Sequence, residues 1–373
     1  MTHEGKSIFV SIASYRDSEI SSTVESVIEN ADRPENLHIS IVNQCLKKEF
    51  ISFESIYLKI RMTNRYVPAI EARGAGYARS LAQEAYDGED FFLQIDSHSR
   101  MTPGWDTDLI DMMTETQMWT GRDRIIMSQF PAAYLREGEK EQYIDSHKYP
   151  ATPSRQEILW TRKGTFSATR EPMDLVRPQE SETVLAGFIF APGYIVKEVP
   201  YDPEISFFGE ELCFAIRAYT RGWRIYSPNK MVIRHFYHRP FHHKIWDSTN
   251  NANKKWGVIE KASMMKQAKV YAGVDLGIWG ALSYNTLKEY NDFVGLDIND
   301  MYQKMLKTRL KLSENWLEQD IIPGNHGLLS ERLSIPCLDG EHEDSERPCA
   351  VDGCECECHV SVHKPGVEQG FTQ

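Results

Sequence analysis

The chain has 373 residues, of which 41% are hydrophobic and 26% charged, so wholesale disorder and a fibrous protein are excluded and one large domain with an addition, or two domains, are expected. The net charge is −12. Residues 337–373 contribute −7 of this, with nine acidic and two basic residues. The strong basic field that is typical of a non-specific nucleic-acid binder is therefore missing. No apolar run approaches the roughly 20 residues of a membrane span and the N-terminus has no signal-peptide pattern, so we expect a soluble, cytoplasmic protein without a membrane partner.

The first hundred residues alternate between apolar, strand-like segments and helical patterns. This alternation predicts an α/β domain with parallel strands, in which ligands bind beyond the carboxyl ends of the strands. Asp17 or Ser18 is placed to cap the first helix. The predicted elements are, in chain order, a strand at 7–13, a helix at 20–28, a strand at 38–42, a helix at 71–86 and a strand at 91–95.

The rest of the chain is irregular at first and then helical. Residues 131–183 are polar and predict long loops with some strand. We expect three parts, namely the α/β domain at 1–245, a helical C-terminal extension at 246–335 and an acidic, Cys-rich tail at 336–373. Further predicted elements are an apolar segment at 184–190, a helix at 207–220, short strands at 223–226 and 231–234, and helices within 262–319.

The triplet Asp96-Ser97-His98 follows the third predicted strand. Residues i and i+2 of an extended segment face the same side, so this Asp-x-His (DXH) motif projects a carboxylate and an imidazole together. Both groups suit a divalent cation such as Mn²⁺ or Mg²⁺. The alternative is a strand-end turn in which the aspartate is only a cap.

Other residues near the predicted strand ends suit a phosphorylated ligand. Arg16 and Asp17 follow the first strand, at the edge where the ligand crevice is expected. Arg73 and Arg79 are six residues apart around two glycines, which permit close backbone approach while arginine supplies charge-assisted hydrogen bonds. The alternative for these arginines is a solvated position at a helix N-terminus.

Several short motifs occur in a specific order and spacing between residues 6 and 300. An Asp-x-His triplet, an apolar segment containing Gly187, a Gly-Glu-Glu segment and a late histidine follow one another. This succession resembles the cytoplasmic polypeptide GlcNAc-transferases (glycosyltransferase family 60) and, more distantly, the polypeptide GalNAc-transferases. The segments that carry the resemblance are Ile12–Asp17, Arg73–Arg79, Leu93–His98, Phe207–Glu211 and His235–Arg239.

The resemblance implies a GT-A fold, which is Rossmann-like with a mixed central sheet, and a metal-dependent glycosyltransferase. The expected donor is a UDP-sugar, first of all UDP-GlcNAc, and the expected outcome is retention of the anomeric configuration. A cation on the diphosphate would neutralise the charge of this leaving group. The expected acceptor is a hydroxyl group, most directly a hydroxyproline or another protein hydroxyl, with a saccharide, a small molecule and a modified nucleobase left open.

The resemblance also implies roles for individual residues. Asp96, His98 and His235 are the expected Mn²⁺ ligands, with His238, His242 and His243 as competitors for the third position. Glu210 and Glu211 are the catalytic candidates. Adjacent side chains cannot point the same way, and the resemblance favours Glu210 for a sugar or acceptor hydroxyl. We expect Phe207, Phe208 and Trp223 to pack in the core rather than on a sugar ring. The expected donor-binding residues are Ser14, Arg16, Asp17, Arg73, Arg79, Ser97 and Gly187.

Seven cysteines complete the sequence-based picture. Cys45 and Cys213 lie in apolar surroundings and are interpreted as buried thiols. The other five crowd the tail, where Cys354-x-Cys356-x-Cys358-His359 offers zinc ligands at a tighter spacing than usual zinc sites. The tail is therefore either a Zn²⁺ site or a solvated acidic segment.

Two other functional classes stay open at this stage. The same Asp and His residues could activate water in a metal-dependent hydrolase of a sugar nucleotide or phosphate ester. The Cys-rich tail could also serve a non-catalytic adaptor. A hydrolase would not need the paired segments around Gly187 and Glu210, so their presence favours the transferase.

Overall fold

A computed structural model describes residues 5–137, 140–145, 152–160, 166–239, 242–246 and 256–310. These residues form a mixed α/β structure, as predicted from the alternating pattern. The strands are β1 (Ile8–Tyr15), β2 (Leu37–Cys45), β3 (Arg61–Pro68), β4 (Phe91–Asp96), β5 (Ser99–Met101), β6 (Ile125–Ser128), β7 (Ala132–Glu137), β8 (Lys140–Ile144), β9 (Ser154–Trp160), β10 (Phe166–Pro172), β11 (Gln179–Ser181), β12 (Phe188–Pro192), β13 (Arg224–Ser227) and β14 (Ile233–His235).

The largest sheet contains eight strands in the order β11-β13-β6-β12-β4-β1-β2-β3. The neighbours β4, β1, β2 and β3 are parallel, and β12 runs antiparallel between β4 and β6. A second sheet has the order β5-β14-β7-β8, and β9 pairs with β10. Because β1, β2 and β4 are parallel, their carboxyl ends share one edge, which is the expected position of a ligand site.

Helices cover both faces of the large sheet and bury two hydrophobic clusters. Val24 and Leu109 belong to the cluster on one face, whereas Phe214, Ala268 and Tyr290 belong to the cluster on the other. Among the helices of the described ranges, none is both long enough and apolar enough to cross a bilayer. The helices are α1 (Ile20–Glu29), α2 (Ala75–Gln83), α3 (Trp105–Thr120), α4 (Ile195–Glu198), α5 (Glu210–Thr220), α6 (Trp256–Tyr271), α7 (Tyr284–Val294) and α8 (Ile298–Leu310).

The starts of α2 and α5 differ from the sequence prediction, whereas α1 begins at Ile20 as predicted. Helices α2 and α5 begin later than predicted because Gly74 (φ 106°) and Gly209 (φ 82°) precede them in the left-handed half of conformational space. The residue before α1 is Glu19, whose side chain makes no cap. Of the two predicted caps, Asp17 makes the expected kind of contact, since its carboxylate accepts a hydrogen bond from the Glu19 N–H (3.0 Å).

The interpretation of Cys45 and Cys213 as buried thiols is confirmed, since each is 1% exposed. Burial raises the pKa of Cys45 to about 11 and that of Cys213 to about 12, so neither is a reactive thiolate. The tail at 336–373, with its predicted zinc ligands, lies outside the described residues, and so does the predicted helical segment beyond 310. The three-part division of the chain stays a prediction.

We predict that Gly76→Ala destabilises the protein by about 2 kcal/mol or more, because helix α2 packs directly on another backbone segment. A Cβ on Gly76 would lie 1.9 Å from the carbonyl oxygen of Ile205, and this backbone cannot yield as a flexible side chain would. Urea or thermal denaturation measures the loss.

Gly257→Ala is the matched control, because a Cβ at this exposed position of α6 meets nothing within 4 Å. We expect its stability to be unchanged or slightly raised. Equal stabilities of the two variants would contradict the packing of α2 described here.

Candidate active site

The pairing of two short strands brings distant histidines together. Asp96 ends β4, and His98 directly precedes β5. Strand β14 runs antiparallel to β5, with His235 opposite Ser99. The imidazole of His235 therefore reaches the carboxyl end of β4 although it is 139 residues from Asp96 along the chain.

Asp96, His98 and His235 form a compact group of possible metal ligands. One ligand atom from each lies within 4.8 Å of the others, and this is the one such group of three or more His, Cys, Asp or Glu side chains in the described ranges. The Asp96 Oδ2 atom is 3.1 Å from His235 Nε2 and 3.8 Å from His98 Nε2. The side chains are 25%, 12% and 11% exposed for Asp96, His98 and His235. The structure thus brings together the three predicted ligands, whereas His238, His242 and His243 are not in this group.

The surroundings favour the ligating forms of Asp96 and His235. Burial opposes ionisation of Asp96, yet its hydrogen bond with His235 and the charges of His98 and Arg79 hold its pKa well below its usual range. Burial, together with the nearby His98, lowers the pKa of His235 to about 4. At neutral pH the carboxylate is therefore ionised and the imidazole neutral, as metal binding requires.

Asp17 lies behind His98 and fixes its orientation. The side chain of Asp17 is 2% exposed, and its Oδ2 atom accepts hydrogen bonds from His98 Nδ1 (2.8 Å) and Ser97 Oγ (2.8 Å). Burial opposes ionisation here too, but the hydrogen bond with His98 and the nearby charges keep the pKa of Asp17 below its usual range. Asp17 therefore binds His98, and Ser97 binds Asp17, so these two side chains contact protein groups.

Arg239 was not predicted as a site residue. Its Nη1 atom donates to Asp17 Oδ2 (2.8 Å), and its Nη2 atom lies 3.0 Å from His98 Nε2. A guanidinium only donates hydrogen bonds, so His98 Nε2 is the acceptor and Nδ1 carries the proton toward Asp17. This tautomer has its lone pair on Nε2, where Arg239 donates, so a cation bound at Nε2 would displace that hydrogen bond. The signal in the sequence is the place of Arg239 in the segment His235–Arg239, which carries the family resemblance.

Arg79 occupies a different place from the predicted one. Its side chain is 3% exposed and donates to Asp96 Oδ1 (2.9 Å), Glu210 Oε1 (2.5 Å) and the carbonyl oxygen of Ala186 (3.2 Å). Its donors are directed at protein groups rather than at a phosphate, because α2 carries the guanidinium beneath the edge of the sheet. Burial opposes the charged form, but Glu210, Tyr201 and Asp96 together raise the pKa of Arg79.

The glycines near Arg73 serve packing rather than phosphate approach. A Cβ on Gly74 would lie 2.2 Å from the Ser206 carbonyl oxygen, and the N–H of Gly76 donates to that same oxygen (3.1 Å). Arg73 is exposed and its guanidinium lies over the ring of Tyr77, 5.2 Å from the centroid. Of the two predicted arginines, Arg73 is therefore the one that can still reach a ligand.

Ser14 and Arg16 lie at the carboxyl end of β1. Ser14 belongs to the strand rather than following it, and its buried hydroxyl has no hydrogen-bond partner within the described ranges. The same holds for Oδ1 of Asn43, which is in register with Ser14 on β2. Arg16 has φ 47°, unusual for a residue with a side chain, and its guanidinium binds Glu49 (2.8 Å). The predicted nucleotide contacts of Ser14 and Arg16 stay predictions.

Gly187 lies directly against the metal-ligand group. A Cβ at this position would be 2.9 Å from Asp96 Oδ2 and 3.8 Å from His235 Cδ2. The turn that precedes β12 therefore covers the ligand group on one side, and only glycine fits there. Of the two catalytic candidates, Glu210 is 6% exposed and bonded to Arg79, and burial raises its pKa.

Glu211 is the second catalytic candidate. Its Oε1 atom accepts a hydrogen bond from the N–H of Ala186 (2.8 Å), next to Gly187. Burial, together with Glu210, raises its pKa to about 7, although the hydrogen bond from Ala186 acts in the opposite direction. The carboxylate is thus tied to the backbone of the turn.

Aromatic rings also border the start of α5. Trp223 is fully buried, as expected, but the expectation of core packing is wrong for Phe207 and Phe208, which are 37% and 54% exposed. These two rings pack against each other and against Trp246, with centroid distances of 5.1–5.5 Å. The turn of left-handed Gly209 places them outside the helix.

Solved structures define the class of fold. The chain is similar to the crystal structure of GalNAc-T7 with UDP, GalNAc and Mn²⁺, with a TM-score of 0.53 and 13% identity over 83% of this chain and 58% of that chain. It therefore has the GT-A glycosyltransferase fold, as predicted, and spans 58% of the length of that relative. S. aureus TarS 1–349 in complex with UDP-GlcNAc aligns with a TM-score of 0.48 and 14% identity, over 93% of this chain and 95% of that chain.

The family follows from the sequence itself. The family model described as Glycosyltransferase (GlcNAc) matches residues 7–57 and 47–299, which is most of the chain. The chain belongs to this family of GlcNAc glycosyltransferases, and the predicted family and enzyme class are confirmed. A search of curated proteins found no match.

We predict that Glu211→Gln changes how stability depends on pH. A carboxyl group whose pKa rises on folding binds more protons in the folded state, so stability falls as pH rises from 4.5 to about 7. The loss is at most about 3 kcal/mol. Glutamine keeps an acceptor for Ala186 without the charge, so the variant should gain stability over the parent at pH 8 but not at pH 4.

The measurement is the difference in melting temperature between variant and parent from pH 4 to pH 8. Glu35→Gln, at an exposed position, is the control and should give a difference that does not depend on pH. A constant difference for Glu211→Gln would contradict the raised pKa.

Proposed function

We propose that the protein transfers a sugar, first of all GlcNAc, from a UDP-sugar to an acceptor hydroxyl with the help of a divalent cation. The observation that carries this proposal is the convergence of Asp96, His98 and His235 at the carboxyl end of β4, in a member of the GlcNAc glycosyltransferase family. GalNAc-T7, which shares the fold, was crystallised with UDP, GalNAc and Mn²⁺. The proposal extends the same ligand chemistry to this chain.

The three side chains fit a cation of the Mn²⁺ or Mg²⁺ class. Neighbouring ligands on an octahedral ion lie about 3 Å apart, given metal–oxygen distances of about 2.1 Å. The pair Asp96 Oδ2 and His235 Nε2 is 3.1 Å apart, and His98 Nε2 is 3.8 Å from the same oxygen. One carboxylate with two imidazoles leaves positions for phosphate oxygens. A bound cation would supply positive charge for the departing diphosphate.

Residues around the ligand group supply orientation and further charge. Asp17 holds the proton on Nδ1 of His98, so the lone pair lies on Nε2, where a cation would replace the hydrogen bond from Arg239. Arg239 lies on the same histidine, so its guanidinium is within reach of a diphosphate bound there. The unpartnered polar atoms of Ser14 and Asn43 suit hydrogen bonds with the nucleoside.

The acceptor and the stereochemistry are inferred from the family resemblance. A protein hydroxyl is the proposed acceptor, and retention of the anomeric configuration is the proposed outcome. A panel of UDP-sugars assayed for released UDP identifies the donor, and proton NMR of the product identifies the anomer. UDP release that no acceptor hydroxyl increases would favour the sugar-nucleotide hydrolase instead.

We predict that His235→Gln abolishes metal-dependent UDP binding. For the parent protein, UDP should raise the melting temperature only when Mn²⁺ is present, because binding to the folded state stabilises it. The variant has two of the three proposed ligands and should lose this shift. Differential scanning fluorimetry and titration calorimetry with Mn²⁺ measure both effects.

His238→Gln is the matched control, since His238 is exposed and outside the ligand group. It should keep the parent's Mn²⁺ affinity and UDP shift. An unchanged shift in His235→Gln, or equal losses in both variants, would count against His235 as a ligand.

We predict that Asp17→Asn weakens Mn²⁺ binding by about 10–100-fold, the usual effect of removing a partner that orients a metal-ligating histidine. The amide cannot accept from His98, Ser97 and Arg239 as the carboxylate does. Asp108→Asn removes an exposed carboxylate of α3 that pairs with Lys230, and it should leave affinity unchanged. Parent-like affinity in Asp17→Asn would assign Asp17 another role.

A further inference from the structure

The peptide groups of the turn before β12 are held by buried side chains. The N–H of Ala186 donates to Glu211 Oε1 (2.8 Å), and the Ala186 carbonyl oxygen accepts from Gln94 Nε2 (2.8 Å) and Arg79 Nη2 (3.2 Å). The Ser128 hydroxyl accepts from the N–H of the adjacent Leu185 (2.8 Å) and donates to the carbonyl oxygen of Phe188 (2.7 Å). The turn is therefore fixed from behind at each of these backbone groups.

The front of this turn faces the metal-ligand group. Gly187 lies so close to Asp96 that a Cβ would be 2.9 Å from its Oδ2 atom. The sheet order β12-β4-β1-β2 places the start of β12 on one flank of Asp96 and the ends of β1 and β2, with Ser14 and Asn43, on the other. A nucleoside bound over β1 and β2 would therefore direct the sugar, at the far end of the diphosphate, toward Ala186 and Gly187.

We propose that Glu211 is a positioning residue that holds the Ala186–Gly187 peptide as the wall against which the donor sugar packs. This inference rests on the proposed function, because it needs a donor whose diphosphate lies at Asp96. Glu211 acts through the backbone and does not touch the reacting atoms. Glu211 supplies a side-chain acceptor for a turn in which Leu185, Ala186 and Gly187 have no polar side chain of their own.

The adjacent residues Glu210 and Glu211 bind different parts of the site. Glu210 binds Arg79, which in turn binds Asp96 and the carbonyl oxygen of Ala186. Glu211 binds the N–H of the same Ala186 residue. Two adjacent residues at the start of α5 thus fix the ligand group and the turn relative to each other, which explains the need for both carboxylates.

The experiment compares Glu211→Ala, Glu211→Gln and Gln94→Met with the parent. Alanine removes the acceptor for Ala186, glutamine keeps an acceptor, and methionine removes the donor at the carbonyl side while keeping the volume. The readouts are the KM and kcat for UDP-GlcNAc turnover with Mn²⁺, the affinity for UDP with Mn²⁺, and hydrogen exchange of a peptide covering 184–190.

We expect Glu211→Ala and Gln94→Met to raise the KM for UDP-GlcNAc about tenfold or more, the equivalent of one lost hydrogen bond of this kind. UDP affinity should stay within about twofold, because UDP lacks the sugar. Glu211→Gln should restore a KM close to that of the parent. Hydrogen exchange of 184–190 should accelerate in Glu211→Ala and not in Glu211→Gln.

Three results would overturn the assignment. Equal defects in Glu211→Gln and Glu211→Ala would mean that the charge itself contacts a substrate. A parallel loss of UDP affinity would place the effect at the diphosphate rather than at the sugar. A parent-like KM in both Glu211→Ala and Gln94→Met would show that the turn is not a sugar wall, and Gln94→Met alone decides this if the alanine variant does not fold. Absence of UDP and UDP-GlcNAc binding in the parent would instead remove the proposed function, a result distinct from all three.

Discussion

The site depends on one buried cation, the guanidinium of Arg79. A charge at 3% exposure is tolerated only when it is paired and hydrogen-bonded, and this one binds Asp96, Glu210 and the carbonyl oxygen of Ala186. These partners come from three segments that are far apart in the sequence. The close approach of Gly76 to the 205–206 backbone places helix α2 so that Arg79 reaches this position. The geometry of the candidate metal site therefore depends on how the start of α2 packs.

The pKa values of neighbouring carboxyl groups at this edge are shifted in opposite directions. Hydrogen bonds with histidine and the charge of arginine keep the pKa values of Asp17 and Asp96 low despite burial. Burial instead raises the pKa values of Glu210 and Glu211, which lie farther from the histidines. The two carboxyl groups whose pKa values are lowered are therefore the ones that contact the imidazoles.

Local sequence pattern could predict part of this arrangement, and long-range pairing accounts for the rest. Asp96 and His98 followed from alternation along one strand, and His235 from the order of motifs. The contact of Arg239 with Asp17 joins residues 222 positions apart, and no local pattern encodes it. A glycine such as Gly74 indicates that another group comes close, but the sequence does not say which group. We expected a phosphate there, and the neighbour is the backbone of Ser206. Helix starts were misplaced for the same reason, since left-handed glycines set them.

In the proposed site, two carboxyl groups act by orienting the groups that would contact the ligand. Asp17 binds behind His98 and Glu211 binds behind Ala186, so in both cases a carboxylate holds the group that would meet the ligand. Such support lets the contacting groups be a neutral imidazole and a glycine backbone, neither of which could hold its own orientation. The raised pKa of Glu211 shows that this arrangement lowers stability at neutral pH, as is common where a site needs groups in a fixed geometry. Selection for fold stability alone would not favour a buried carboxylate at position 211. Its proposed role in holding the turn beside Asp96 explains why a carboxylate is present there.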